Sequence, residues 1–126
     1  MSGSRIVTLI PDSSYRSMIT TETDERLDAL GEVQRAKGDR QAVTQQASDL
    51  LRDAEIVLTG WGTPALQETW LEQANALKLI CHCAGSVRGV IPSSVFVRGI
   101  ALVHAAPIIA DAVAEFCIAM ELLWLR

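Results

Sequence analysis

Apolar and polar positions change period repeatedly along the chain, and each change marks a passage between strand and helix. A β-branched run over residues 5–10 (RIVTLI) is bounded by Pro11-Asp12 and Ser13-Ser14 and predicts a first strand. Residues 15–19 predict a helical turn. A helix beginning near Thr23 or Asp24 carries Leu27 and Leu30 on one face until Gly31 ends it. Residues 32–35 predict a short second strand at a sheet edge. After the polar turn Lys37-Gly38-Asp39-Arg40, Val43, Ala47, Leu50, Leu51 and Ala54 recur at helical spacing.

The run at 56–59 (IVLT) has no polar alternation, as expected of a strand covered on both faces. Gly60-Trp61-Gly62 breaks it. Thr63 and Pro64 then predict the cap and first position of a helix whose buried stripe is Leu66, Trp70, Leu71 and Ala74. Residues 77–83 and 100–103 predict the fourth and fifth strands, with a turn of helix at 93–97 between them. The last helix runs from 106 or 107 to about Leu125. Strands alternating with crossover helices predict an α/β fold, a flavodoxin-like doubly wound five-stranded parallel sheet with a long C-terminal helix, residues 1–126 forming a single domain.

In such a sheet ligands bind beyond the carboxyl ends of the strands, so the turns after residues 59, 83 and 103 carry the candidate chemistry. Ala84-Gly85-Ser86-Val87-Arg88 follows the fourth strand. Its small residues let backbone N–H groups approach an anion, while Ser86 adds a hydroxyl and Arg88 a cation. A tight connecting turn would need the same glycine. Gly60-Trp61-Gly62 should share that rim, with Trp61 either walling a pocket or packing on a neighbouring helix.

Composition narrows the classes. The chain has 126 residues, 49% of them hydrophobic and 5% aromatic, with a net charge of −4. That length suits one domain, and the absence of clustered cations argues against a nucleic-acid partner. The amino terminus has no secretory apolar core. Residues 108–125 are more apolar, yet Asp111, Glu115 and Glu121 would lie in hydrocarbon if they spanned a membrane, so a buried or interface helix is expected. Asp111 and Glu115 near its amino end and Arg126 at its other end suit the helix dipole. Three cysteines without an export signal point to free thiols in a reducing cytoplasm.

Cys81, His82 and Cys83 are no metal site, because strand alternation sends the cysteines to one face and the histidine to the other. His104 reads as a solvated strand-end histidine.

The order Leu58-Thr59-Gly60-Trp61-Gly62-Thr63-Pro64, a strand ending in Ala84-Gly85, a segment closing on Arg98-Gly99-Ile100, and a helix carrying Val113-Ala114-Glu115-Phe116 resembles the first half of the NAD-dependent D-2-hydroxyacid dehydrogenases. That group includes the phosphoglycerate dehydrogenases, and the likeness covers roughly residues 54–126. It implies that the loop Ala84, Gly85, Ser86, Val87 and Arg88 binds the carboxylate of a small 2-hydroxy or 2-keto acid, and that Trp61 and Gly62, in the loop after the third strand, help to shape the substrate pocket. It also implies NAD(H) or NADP(H) as cofactor, and a Rossmann domain following the last helix. Glu115 matches a structural position of that helix.

The chain departs from the family where the cofactor matters. No G-x-G-x-x-G fingerprint occurs in 126 residues, the family's catalytic arginine, glutamate and histidine have no counterparts here, and His104 does not match that histidine. Ile109 stands where the family usually has an asparagine, and Pro107 removes a backbone N–H from the same turn. The sequence therefore reads as the substrate-side half of such an oxidoreductase, with no catalytic residue assigned and inactive alone. It would associate as a homodimer or with a complementing cofactor-domain fragment. The competing reading is a non-catalytic α/β interaction module dimerising through its last helix.

Overall fold

A computed structural model describes residues 3–125. The elements follow the order β1 (Ser4–Thr8), α1 (Asp12–Met18), α2 (Thr21–Leu30), β2 (Gly31–Arg35), α3 (Arg40–Leu51), β3 (Ile56–Thr59), α4 (Glu68–Gln73), β4 (Leu79–His82), α5 (Ser94–Val97), β5 (Ala101–His104) and α6 (Ala106–Trp124). All five strands are parallel, in the order β2-β1-β3-β4-β5. This is the flavodoxin-like winding, and its direction reverses between β1 and β3.

Strand alternation divides the core into two layers. Val7 and Leu9 after β1, Val57 and Ile80 point to one face, where they pack with Val43, Ala47 and Leu51 of α3, Trp70 and Leu71 of α4 and Val95 of α5. Ile6, Ile10 and Leu58 point to the other, against Tyr15 and Met18 of α1 and Leu27 of α2. Cys81 and Cys83 belong to this second face and His82 does not, which is the alternation read from the sequence. All three cysteines are free thiols.

Three local expectations are corrected. Helix α1 is longer than one turn and begins directly after Pro11. Helix α2 starts at Thr21 and not near Thr23 or Asp24, because Thr20 is the cap, its hydroxyl accepting from the Thr23 amide at 3.2 Å. The third concerns α4, which begins at Glu68 rather than after Thr63. The Thr63 hydroxyl is taken by the Gly60 amide at 2.9 Å, and the Leu66 amide bonds to Val90 O at 2.8 Å. Both bonds hold the segment extended, so the capping signal is spent on a turn.

Helix α6 leaves the body of the protein. From Ala110 to Leu125 every residue is exposed, including Phe116, Leu123 and Trp124. Among the described residues the helix is therefore not a buried one. Asp111 and Glu115 lie beyond its first turn, which holds no acidic residue, and Arg126 lies outside the described residues. No helix among the described residues is long and apolar enough to cross a membrane.

Candidate functional site

The carboxyl ends of β3, β4 and β5 share one rim, so the three turns singled out from the sequence lie side by side. After β3 the chain closes a tight turn: Thr63 N donates to Gly60 O at 3.2 Å while Thr63 Oγ1 accepts from Gly60 N. Gly62 has φ +81, a left-handed conformation that disfavours any side chain. A Cβ at Gly60 would meet Met18 Cε at 2.8 Å, the movable end of a flexible side chain. This turn presents Trp61 outward, 59% exposed.

After β4, Cys83 N donates to Thr59 O at 2.7 Å, and Ala105 N donates to both His82 O and Ala84 O at 3.2 Å. These bonds pin the first residues of the loop to the strands on either side. Beyond them the backbone is unpaired. Among the described residues, no acceptor takes the N–H of Ala84, Gly85, Ser86 or Val87. The Ser86 hydroxyl accepts from Arg88 N at 3.2 Å, which leaves its own proton free to donate. A Cβ built on Gly85 would meet nothing within 4 Å, and its φ is not left-handed. Neither turn geometry nor packing requires glycine there.

Between the two turns lies a cleft of about 240 Å³ lined by Arg40, Gly60, Trp61, Gly62, Thr63, His82, Ala84, Gly85, Ser86 and Val90. Of the residues expected from the sequence, Trp61, Gly62, Ala84, Gly85 and Ser86 line it, and Val87 and Arg88 do not. The chain turns away after Ser86, because Val87 O accepts from Val90 N and Ile91 N, and Arg88 is left in solvent. Arg40, at the first position of α3, supplies a cation to the cleft and has no carboxylate partner among the described residues. It lies some forty residues upstream of the loop, but the helix after β2 must begin at this rim, and that was the available signal.

His82 forms part of the floor. It is 3% exposed, and its Nδ1 lies 2.8 Å from Thr59 Oγ1. Burial holds its pKa below the ordinary histidine value and His104 adds to this, while a hydrogen bond to the Ser86 backbone works against it. Which of the two atoms donates depends on the tautomer of the ring. His104 is exposed, and its Nδ1 accepts from Ala106 N at 3.3 Å at the start of α6. Ile109 is half-buried in the first turn of α6, with Pro107 beside it. No cluster of metal-ligating side chains occurs among the described residues.

These loops do not fit a dinucleotide. Pyrophosphate is held where a glycine turn opens directly into a helix N-terminus. Here Gly60-Trp61-Gly62 leads into an extended segment instead of a helix, and the Gly60 amide is bonded to Thr63. The free amides and the Arg40 side chain suit a small carboxylate instead.

No protein-family profile and no curated protein sequence matches the chain. A solved structure does: a phosphoglycerate oxidoreductase from Rhizobium etli, with 21% sequence identity and a TM-score of 0.67. The match covers 94% of this chain and 36% of that one, so the chain spans about a third of the oxidoreductase's length. At this identity the likeness is one of fold. The chain thus shares its α/β fold with part of that oxidoreductase, and its 84–87 loop lies at the carboxyl rim of the sheet.

Proposed function

We propose that these residues form the acid-binding half of a D-2-hydroxyacid dehydrogenase-like oxidoreductase. The carboxylate of a small 2-hydroxy or 2-keto acid accepts from the amides of the loop after β4, Ser86 Oγ donates to it, and Arg40 balances its charge. Trp61 closes the outer wall and limits access of water. NAD(H) or NADP(H) would supply hydride chemistry at C2 from a dinucleotide-binding unit, in cis or in trans. The observation carrying this reading is the run of four consecutive amides without acceptors, at Ala84, Gly85, Ser86 and Val87, the first three on residues that line the cleft.

The test is an amide-resolved NMR titration with glyoxylate, pyruvate and lactate, each against its methyl ester. The acids are expected to shift the amides of residues 84–87 and the esters are not; no response at tens of millimolar acid would overturn the proposal. The protein by itself is expected to leave NADH unoxidised with the same keto acids. The alternative, a non-catalytic interaction module, draws on the exposure of α6. It predicts that the acids leave those amides unmoved.

A further inference from the structure

Ion pairing divides the cations of this chain. Arg5, Arg26, Arg35, Arg52, Lys78 and Arg98 each meet a carboxylate, whereas Arg16, Lys37, Arg40 and Arg88 meet none among the described residues. All four follow the carboxyl ends of strands: Arg16 in α1 after β1, Lys37 and Arg40 after β2, and Arg88 after β4. The carboxylates beside them are spent on backbone amides. Asp12 Oδ2 accepts from Gly38 N at 2.9 Å, and Asp39 Oδ1 accepts from Ala42 N at 2.9 Å. On a chain with a net charge of −4, unpaired positive charge gathers on one rim.

Two of these cations, Arg16 and Lys37, line a cavity of about 270 Å³ together with Asp12, Tyr15, Arg35 and Ala36. It shares no lining residue with the cleft between the loops after β3 and β4. Its base is fixed by the chain's own bonds. Ala36 N donates to Thr8 O at 3.0 Å, and Gln46 brackets Lys37, accepting from its N–H at 3.2 Å and donating to its carbonyl at 2.7 Å. The Arg35 guanidinium is anchored as well: Nε donates to Tyr15 Oη and to Asp24, each at 3.2 Å, and Nη2 donates to Asp24 at 2.7 Å and to Asp28 at 2.6 Å. Both N–H groups of Nη1 are left without an acceptor among the described residues. Neither Asp24 nor Asp28 lines the cavity, whose walls hold three cations against one carboxylate.

We propose that this cavity binds a dianion of the phosphate class, either free phosphate or a small phosphate monoester. A guanidinium already fixed by its own partners loses little freedom when Nη1 donates to a phosphate oxygen. Arg16 and Lys37 are exposed on flexible stems and can turn towards the same ligand. Three cations less one carboxylate leave an excess of two positive charges in the lining, the match for a dianion; a monocarboxylate would answer half of it. At about 30 Å³ for each water, the cavity holds about nine, which is room for a phosphate with a short organic group and not for a dinucleotide. Because Arg16 and Lys37 stand in solvent, the affinity should fall as salt rises.

An amide-resolved NMR titration with inorganic phosphate, and in a second arm with glycerol phosphate, tests this while sodium chloride holds the ionic strength constant. Saturable shifts are expected at Tyr15, Arg16, Ala36, Lys37 and Gly38. Tighter binding of glycerol phosphate identifies an ester as the occupant, and equal or weaker binding identifies phosphate itself. Arg16→Gln and Lys37→Gln, both at exposed positions, should each weaken binding about tenfold, with far-UV circular dichroism and melting as in the parent protein. Shifts that fail to saturate at tens of millimolar, shifts that sodium chloride alone reproduces, or unchanged affinity in both variants overturn the proposal. Shifts confined to residues 84–87 also overturn it, since they put the anion in the other cleft. The two cavities share no residue, so this outcome is independent of the carboxylic acid titration.

Discussion

Thr59 Oγ1 and His82 Nδ1 lie 2.8 Å apart on adjacent strands, both residues almost wholly buried beneath the cleft. Each side chain is the other's polar partner in an otherwise apolar layer, and together they form the rigid base on which both loops of the rim stand. The pair thus links the core to the site.

Because burial lowers the His82 pKa, the unfolded chain takes up its proton first as pH falls. The sign is fixed: stability is complete above about pH 6.5, the ordinary histidine value, and declines as pH drops from there towards the lower folded value. Urea unfolding at pH 7.5, 6.5 and 5.5 should show this decline. His82→Asn keeps a partner for Thr59 and should flatten it. His82→Leu leaves the Thr59 hydroxyl unpaired and should cost about 1–3 kcal/mol at pH 7.5.

The two rim glycines should respond differently. At Gly85 a side chain meets open space without backbone strain, so Gly85→Val should leave the melting temperature nearly unchanged while weakening acid binding at least tenfold. Gly62 is left-handed, so Gly62→Ala should cost about 1–2 kcal/mol of stability. Calorimetry and the acid titration, run on both variants, separate the effects.

Leu51 closes the α3 stripe at 0% exposure between helix and sheet. Leu51→Ala removes buried methyl groups and opens a cavity, and should cost about 2–5 kcal/mol in denaturant unfolding. Leu123→Ala on the bare helix should change monomer stability little.

Asp24 accepts from the Tyr15 hydroxyl and from Arg35 Nη2 at 2.7 Å, and Arg35 also reaches Asp28 at 2.6 Å. The bond from Tyr15, then those from Arg35, lower the Asp24 pKa; burial and the same carboxylate raise that of Tyr15. A depressed carboxylate stabilises above its unfolded pKa, about 3.9, and loses that contribution as pH falls through the folded value. Acid unfolding below pH 4 should therefore be shallower in Asp24→Asn, a change separate in pH from that of His82.

The strands, their succession and the parallel winding were legible in the sequence, because burial on both faces of a sheet is recorded in each strand's own neighbours. Residues 56–59 show this most plainly, and the stripe Leu66, Trp70, Leu71 and Ala74 was right even where the start of α4 was not. Tertiary structure decided which groups converge. Thr63 looks like a helix cap until Gly60 is folded back onto it, Arg40 reaches the cleft while the adjacent-seeming Arg88 turns into solvent, and His82 becomes a floor only through Thr59. The apolar character of α6 was legible in the sequence, but only the folded chain shows its residues from Ala110 to Leu125 exposed among the described residues. Periodicity encodes how a segment buries itself; which distant segments meet depends on turn angles and single hydrogen bonds that no local pattern records.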